Sequence, residues 1–311
     1  MRKSVLILAL FILLGSMLLS GCTTNFSPRS KTIGLSVQAI DNPFFVAIQH
    51  GAETAAAQIG AKVDLQDAHH DVGVQSDQMD NFIQKRVVLI LLNAVDSAGI
   101  APAVKRATAA GIPVVAVDVG AQGGVAATVT SDNVAAGKSA CQYMADKLKN
   151  RGQIAIVDGP PVTAVQDRVK GCNEVLSKTP GIKVVATQVG TGDRDIGLDL
   201  GSNILTANPK LDAIFAINDP TALGVELAAK QAKRSDFFIV SVDGSPDAIA
   251  SLKTRGIFTA TSAQAPDRIA QQAVQLGIQV LNHQKLQKND FKIPVNLVTQ
   301  SNVNSYNGWH V

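Results

Sequence analysis

The chain has 311 residues, 28 Lys and Arg against 25 Asp and Glu, a net charge of +3 and 46% hydrophobic residues. That length suggests about two domains with enough apolar content for two cores, and three cysteines are too few for a disulfide-built scaffold. The near balance of charge, with no block of like charges and no basic stripe carrying aromatics, excludes nucleic acid as a partner.

Arg2 and Lys3 precede an apolar run from Val5 to Leu19, interrupted at Gly15 and Ser16, that ends in Leu19-Ser20-Gly21-Cys22. The run falls short of the ~20 residues of a membrane-spanning helix, and small residues stand before the cysteine, so residues 1–21 are predicted to be a secretory signal peptide. Cys22 resembles the lipid-modified residue of a bacterial lipobox, which implies a diacylglycerol anchor at a new N-terminus; an ordinary cleaved signal is the competing reading. Residues 22–30 are polar and unpatterned after Cys22 and read as a lipid-anchored tether. No later apolar run is long enough to cross a bilayer, so the remainder is expected outside the cytoplasm, attached to membrane through the anchor only. Thr23 is not the aspartate associated with inner-membrane retention in some Gram-negative bacteria, and which membrane carries the anchor stays open.

From residue 31 onward, short β-branched or apolar runs predict strands at Thr32–Val37, Lys62–Leu65, Val87–Leu92, Pro113–Val117, Gln153–Val157, Lys183–Gln188, Ala213–Ile217, Phe237–Val242 and Phe258–Thr261. Nearly unbroken apolar strands imply sheets buried on both faces. Between them lie helical patterns such as Phe44–Ile59, Ser97–Ala110, Val134–Lys149, Ala164–Ser177, Ile196–Ala207, Thr221–Lys233 and Asp267–Asn282. Asp96 or Ser97 can cap the helix to Ala110, with Gly111 ending it before Ile112-Pro113, and Asn218-Asp219-Pro220 places a cap and first-turn proline before Thr221. Cys141 and Cys172 fall on helices of the same lobe; they read as packing residues, with a disulfide in an oxidising compartment as the second reading.

The alternation predicts an α/β protein of two similar doubly wound parallel-sheet lobes, one from 31 to about 130 and one from about 132 to 262. Two such lobes facing each other would line one cleft with the carboxyl ends of their strands. The polar residues collected there are Gln38, Asp41 and Asn42, then Asn93, Asp118, Ser131 with Asn133, Arg168 on the helix after Val157, Asn218 with Asp219, Asp243 and Gln264. Asp, Asn, Gln and Arg offer planar donor and acceptor pairs that match adjacent hydroxyls, and Phe44 and Phe45 offer apolar surface to the C–H face of a sugar ring. Each Asp or Asn taken singly reads first as a helix cap or turn former, Asp96, Asp132 and Asp219 above all; recurrence at strand after strand favours a site for the group as a whole.

Thr32-Ile33-Gly34-Leu35 through Asp41-Asn42-Pro43-Phe44-Phe45, Thr130-Ser131-Asp132-Asn133, Ile217-Asn218-Asp219 with Ala222-Leu223-Gly224, and Val242-Asp243-Gly244-Ser245-Pro246-Asp247 together resemble the ribose-type periplasmic binding proteins, the type I solute-binding proteins of sugar ABC transporters. The resemblance runs from about residue 31 to the end. It implies an N-terminal lobe of 31–131 plus 265–293 and a C-terminal lobe of 132–264 plus 294–311, joined by a three-segment hinge near Ser131–Asn133, Gln264–Pro266 and Ile293–Val295. It also implies a ligand site with Asn42, Phe44, Phe45, Asn93 and Asp118 on the first lobe, and Arg168, Asn218, Asp243 and Gln264 gripping hydroxyls from the other lobe and hinge. Closure would be a hinge motion around ligand.

Four positions depart from that pattern. Asp118 is followed by Val119 where many members have arginine, Gly192 and Val242 stand where ribose receptors stack aromatics, and Gln38 replaces a small polar residue. A pocket wider and less aromatic on the C-terminal lobe is expected, suited to a hexose, a polyol or another hydroxylated solute other than ribose.

No nucleophile, base or metal cluster has the spacing an enzyme needs, and no cofactor is expected. His69-His70 reads as a solvated loop, Gly120-Ala121-Gln122-Gly123-Gly124 lacks the Lys-Ser/Thr ending of a phosphate loop, and no Gly-x-Ser-x-Gly elbow occurs. A sugar-responsive transcription regulator of the same fold is excluded by the export signal and the lack of DNA-binding helices ahead of the first lobe. The expected function is that of a monomeric receptor delivering a monosaccharide or polyol to an ABC permease; presentation of the closed form to a chemoreceptor or sensor kinase is the alternative.

Overall fold

Runs that are apolar at every position become strands buried at every position: Leu89–Leu92 and Val114–Val117 in one sheet, Ala213–Ala216 in another. A computed structural model describes residues 31–309; the predicted signal peptide, Cys22 and the tether up to Ser30 lie outside these residues. In chain order the first sheet takes β1 (Thr32–Val37), β2 (Lys62–Asp67), β3 (Leu89–Leu92), β4 (Val114–Val117) and β5 (Ala127–Ser131). Helices α1 (Pro43–Ala57), α2 (Val72–Lys85) and α3 (Ala101–Ala109) connect them. The second sheet takes β6 (Gly152–Asp158), β7 (Ile182–Val189), β8 (Ala213–Ala216), β9 (Phe238–Asp243) and β10 (Phe258–Ala263). Its helices are α4 (Asn133–Lys147), α5 (Thr163–Leu176), α6 (Arg194–Ala207), α7 (Asp219–Gln231) and α8 (Pro246–Thr254). The chain then returns to the first lobe with α9 (Pro266–Leu281), which packs on α1, and β11 (Asp290–Ile293), and crosses back with β12 (Asn296–Thr299).

Both sheets are six-stranded, in the orders β11-β5-β4-β3-β1-β2 and β12-β10-β9-β8-β6-β7. Every pairing is parallel except β10 with β12. The orders are the same when strands are matched lobe to lobe, so β3 corresponds to β8 and β4 to β9. One core cluster joins α1 and α9 to β1, β3 and β4; another joins α6, α7 and α8 to the second sheet, so each sheet has a covered face on either side.

Helix α2 escapes a periodicity reading because its buried face is half polar, with two glutamines set beside Met79 and Phe82. Gln75 and Gln78 are buried there; Gln75 donates to the Asn93 carbonyl at 2.9 Å, and Gln78 donates to the Asp67 carbonyl and accepts from Ser36 Oγ at 2.8 Å. These glutamines tie the helix to strand ends rather than to apolar neighbours. The start expected for the helix to Ala110 shifts: Asp96 accepts from the Ala98 and Gly99 amides and caps a turn, and α3 begins only at Ala101, with no side-chain cap.

The reading of Cys141 and Cys172 as packing residues is overturned. They form a disulfide with Cα atoms 5.1 Å apart, linking α4 to α5. The two helices approach closely because glycines sit at their crossing: a Cβ on Gly137 would collide with the Arg168 carbonyl, and one on Gly171 with the Val134 carbonyl. That approach brings the cysteines within bonding geometry, which spacing alone does not reveal.

Candidate functional site

The carboxyl ends of both sheets face one cleft, whose walls enclose about 530 Å³ with the open mouth included. Of the residues expected there, Gln38, Asn42, Phe44, Phe45, Asp118, Arg168, Asn218, Asp243 and Gln264 line it. Asn93, Ser131 and Asn133 do not; they stand behind the wall, and two of them orient residues that do.

On the first lobe, Asn42 is the N-cap of α1 and its Oδ1 accepts from the Phe44 amide at 2.9 Å, with Pro43 in the first turn. This cap turns Phe44 and Phe45 inward, their rings perpendicular with centroids 5.6 Å apart. Phe44 also meets Trp309 edge-on at 5.8 Å. Asp118 follows β4 at φ 66°, a conformation L residues avoid. Asn93, fully buried, donates to Asp118 Oδ2 at 3.0 Å and to the Val117 carbonyl, and its own Oδ1 accepts from the Gln38 amide. Asp118 Oδ1 is buried without a partner. Burial pushes the Asp118 carboxyl up to about 6, against the pull of the Arg168 charge and the Asn93 hydrogen bond.

On the second lobe, Arg168 projects from α5 and is 6% exposed. Its Nε donates to Asn133 Oδ1 at 2.8 Å, its Nη1 donates to the Ile217 carbonyl at 2.9 Å, and Nη1 lies 3.4 Å from Asp243 Oδ1. Asp243 closes β9 at φ 139° and accepts from Gln264 Nε2 at 2.7 Å and from the Asp219 amide. Gln264 Oε1 is buried without a partner. Burial raises Asp243 above the carboxylate range; Arg168 opposes the shift and neighbouring Asp219 adds to it. Asn218 spends its side chain locally, capping α7 through the Thr221 amide and donating to the Gly192 carbonyl at 2.8 Å.

The cap reading holds for Asp132, which accepts from the Ala135 amide, and fails for Asp219. Asp219 is fully buried and accepts from Ser241 Oγ, from Thr261 Oγ1 at 2.7 Å and from the Ser245 amide at 2.7 Å, fastening the loop that follows Asp243. Of the two positions read as lost aromatics, Gly192 lines the cleft, whereas Val242 is buried in the core. Val119 lines the wall where an arginine was the family expectation.

The expectation that His69-His70 is a solvated loop holds for only one of the pair. The His69 side chain is 76% exposed, while His70 turns into the cleft, its Nε2 3.6 Å from Asp193 Oδ1 on the opposite lobe. Thr191, Asp193, Ile217 and an apolar wall of Pro160, Val162, Ala164 and Val165 also line the site without having been expected. They lie in loops and first helical turns, where period does not mark them; only Asp193, a carboxylate shortly after β7, fits the strand-end criterion that collected the others. Among the described residues no cluster of His, Cys, Asp or Glu could hold a metal ion, and no helix is long and apolar enough to cross a membrane.

The model of the periplasmic binding protein domain matches residues 33–285. A ribose import binding protein of Bacillus subtilis (strain 168) is 38% identical over 274 residues, 88% of each chain. A xylitol-binding protein of Mycolicibacterium smegmatis is 33% identical, covering 76% of this chain and 68% of that one. An ABC transporter solute binding protein of Bacillus halodurans C-125, solved with bound myo-inositol, superposes with a TM-score of 0.81 at 28% identity, covering 90% of this chain and 98% of its own. With matched sheet orders, a cleft at the strand ends and these relatives, the chain belongs to the periplasmic binding protein family, among ribose-type sugar-binding proteins with the type I fold.

Proposed function

We propose that this protein is the extracytoplasmic solute receptor of an ABC importer and that it closes its two lobes on a monosaccharide or polyol. The observation that carries this reading is the pair of orphaned buried acceptors, Asp118 Oδ1 on one wall and Gln264 Oε1 on the other, with the Arg168 guanidinium between the cleft carboxylates. A buried acceptor left without a donor is costly, and a solute rich in hydroxyls supplies donors to the carboxyl and amide oxygens while accepting from the guanidinium. Phe44, Phe45 and the Pro160–Val165 wall offer apolar surface to ring or chain carbons. Asn93 and Asn133 serve by holding Asp118 and Arg168; Ser131 is placed at the hinge.

The lobes are taken as 31–131 plus 265–293 and 132–264 plus 294–311, supported by the exchange of β11 and β12 between sheets. Val119 and Gly192 leave room and remove a charge, which favours a hexose, polyol or cyclitol over ribose. The protein acts as a monomer, tethered through Cys22, and hands its cargo to a permease. A thermal-shift screen of the purified protein against pentoses, hexoses, alditols, inositols and amino acids tests this. A ligand at a hundred times its Kd should stabilise by ~2.7 kcal/mol. A shift confined to one hydroxylated solute supports the reading; a shift with ribose alone removes the specificity refinement; silence across hydroxylated solutes removes the function.

A further inference from the structure

His70 and Asp193 belong to no part of the sugar-gripping set, yet they meet across the cleft mouth from opposite lobes, 38% and 33% exposed. Neither is there by default. His69 and His70 both adopt positive φ, 49° and 58°, a conformation that non-glycine residues seldom enter. The His70 amide donates to the Gln38 carbonyl at 2.9 Å, and Asp67, at the end of β2, accepts from the His69 and Ile40 amides. These bonds clamp the strained turn to the loop that carries Gln38 and Asn42 and direct the imidazole across the gap.

Asp193 occupies the N-cap position of α6 but makes no side-chain cap, although aspartate is among the best capping residues. Its carboxylate faces His70 instead. The preceding Gly192 carbonyl is held by Asn218 Nδ2, so both halves of the pair are tied to residues of the cleft wall. On the far flank the lobes touch again, where the Gly120 amide donates to Thr163 Oγ1 at 2.7 Å.

We infer that His70 and Asp193 form a closing latch across the cleft mouth, positioning residues that hold the lobes together around bound solute, more firmly when the imidazole is protonated. This rests on the receptor reading given above. The other charged groups facing His70 do not replace Asp193: Asp71 is engaged with the Gly73 and Val74 amides, Asp67 pairs with His69, and Arg194 turns away to Asp247 at 3.0 Å. Asp118, Arg168 and Asp243 lie in the same cleft and titrate or hold charge in every variant, so the difference between pH profiles is the signal.

The test measures affinity and dissociation rate for the sugar or polyol identified by the screen, from pH 5.5 to 8.5, in wild type, His70→Gln, Asp193→Asn, the double variant and the exchange His70→Asp with Asp193→His. Wild type should gain about two- to fivefold in affinity toward acid pH over either single variant, as expected of a partly exposed pair. The gain should come through slower release, the double variant should resemble the singles, and the exchange should restore the pH dependence. Parallel profiles in wild type and Asp193→Asn, or additive single effects, overturn the latch. If no hydroxylated solute binds wild type, the receptor reading fails and small-angle scattering of the unliganded protein decides the latch. A more compact average shape at pH 5.5 than at pH 8.5, abolished by Asp193→Asn, supports it; unchanged scattering overturns it.

Discussion

Asp118 and Asp243 end corresponding strands of the two lobes, both buried and both at positive φ, backbone states that cost about 1–3 kcal/mol each. Such strain persists where the surroundings fix it, and here Asn93 on one side and Arg168 with Gln264 on the other do so. Because burial raises Asp118 to about 6, the folded chain holds that proton more tightly than the unfolded chain. The associated stability is whole below the ordinary carboxylate range and is lost as pH rises through about 6. Asp118→Asn is expected to flatten this fall, making the ligand-free protein more stable than wild type at pH 8 by ~1–3 kcal/mol in denaturant titrations while weakening sugar binding. Arg168→Ala strands Asp243 and Asn133 and should cost ~3–5 kcal/mol of stability together with most ligand affinity; Arg168→Lys cannot reproduce the forked contacts and should recover folding better than binding. Denaturant midpoints and calorimetric titration separate the two effects. The strand-end polar residues were legible in sequence because strand ends are where an α/β sheet binds. His70 was not, since its direction follows from a strained turn that no residue pattern announces.

Helices α4 and α5 carry Asn133 and Arg168, so their crossing sets the guanidinium position. Gly171→Ala would drive a methyl group into the Val134 carbonyl, and overpacking of this kind costs about 1–3 kcal/mol. The variant is expected to lower the denaturation midpoint and to weaken ligand binding, because the strain is relieved by moving the helix that bears Arg168. Replacing Cys141 and Cys172 by alanine together should cost ~2–4 kcal/mol, seen as a lower midpoint that reducing agent no longer changes. The apolar strands and the long helices were readable from period and composition. Helix α2 was hidden by its buried glutamines, and β5, with alternate residues half-buried, lacks the continuous apolar run of β3 and β4. The disulfide depends on a helix approach that glycines permit but do not announce.

At the scale of the molecule, two lobes of matched strand order meet at a cleft, and the C-terminal segment spans both. Trp309, the single tryptophan, packs on Phe44 of the first lobe while its Nε1 donates to the Asp243 carbonyl of the second at 3.1 Å. A change in lobe spacing must therefore change the surroundings of this indole. Two similar lobes were visible in the chain as repeated strand-helix alternation, whereas the contacts between lobes were not, because they join residues far apart in sequence with no shared pattern. The most direct measurement is a titration of Trp309 fluorescence with pentoses, hexoses, alditols and inositols, with amino acids as the control class and Trp309→Phe as the silent reference. Saturable change with one hydroxylated solute, lost in Arg168→Ala, is the expected result; no response to any of them, supported by calorimetry that detects no binding, or a response to an amino acid alone, would contradict a sugar receptor.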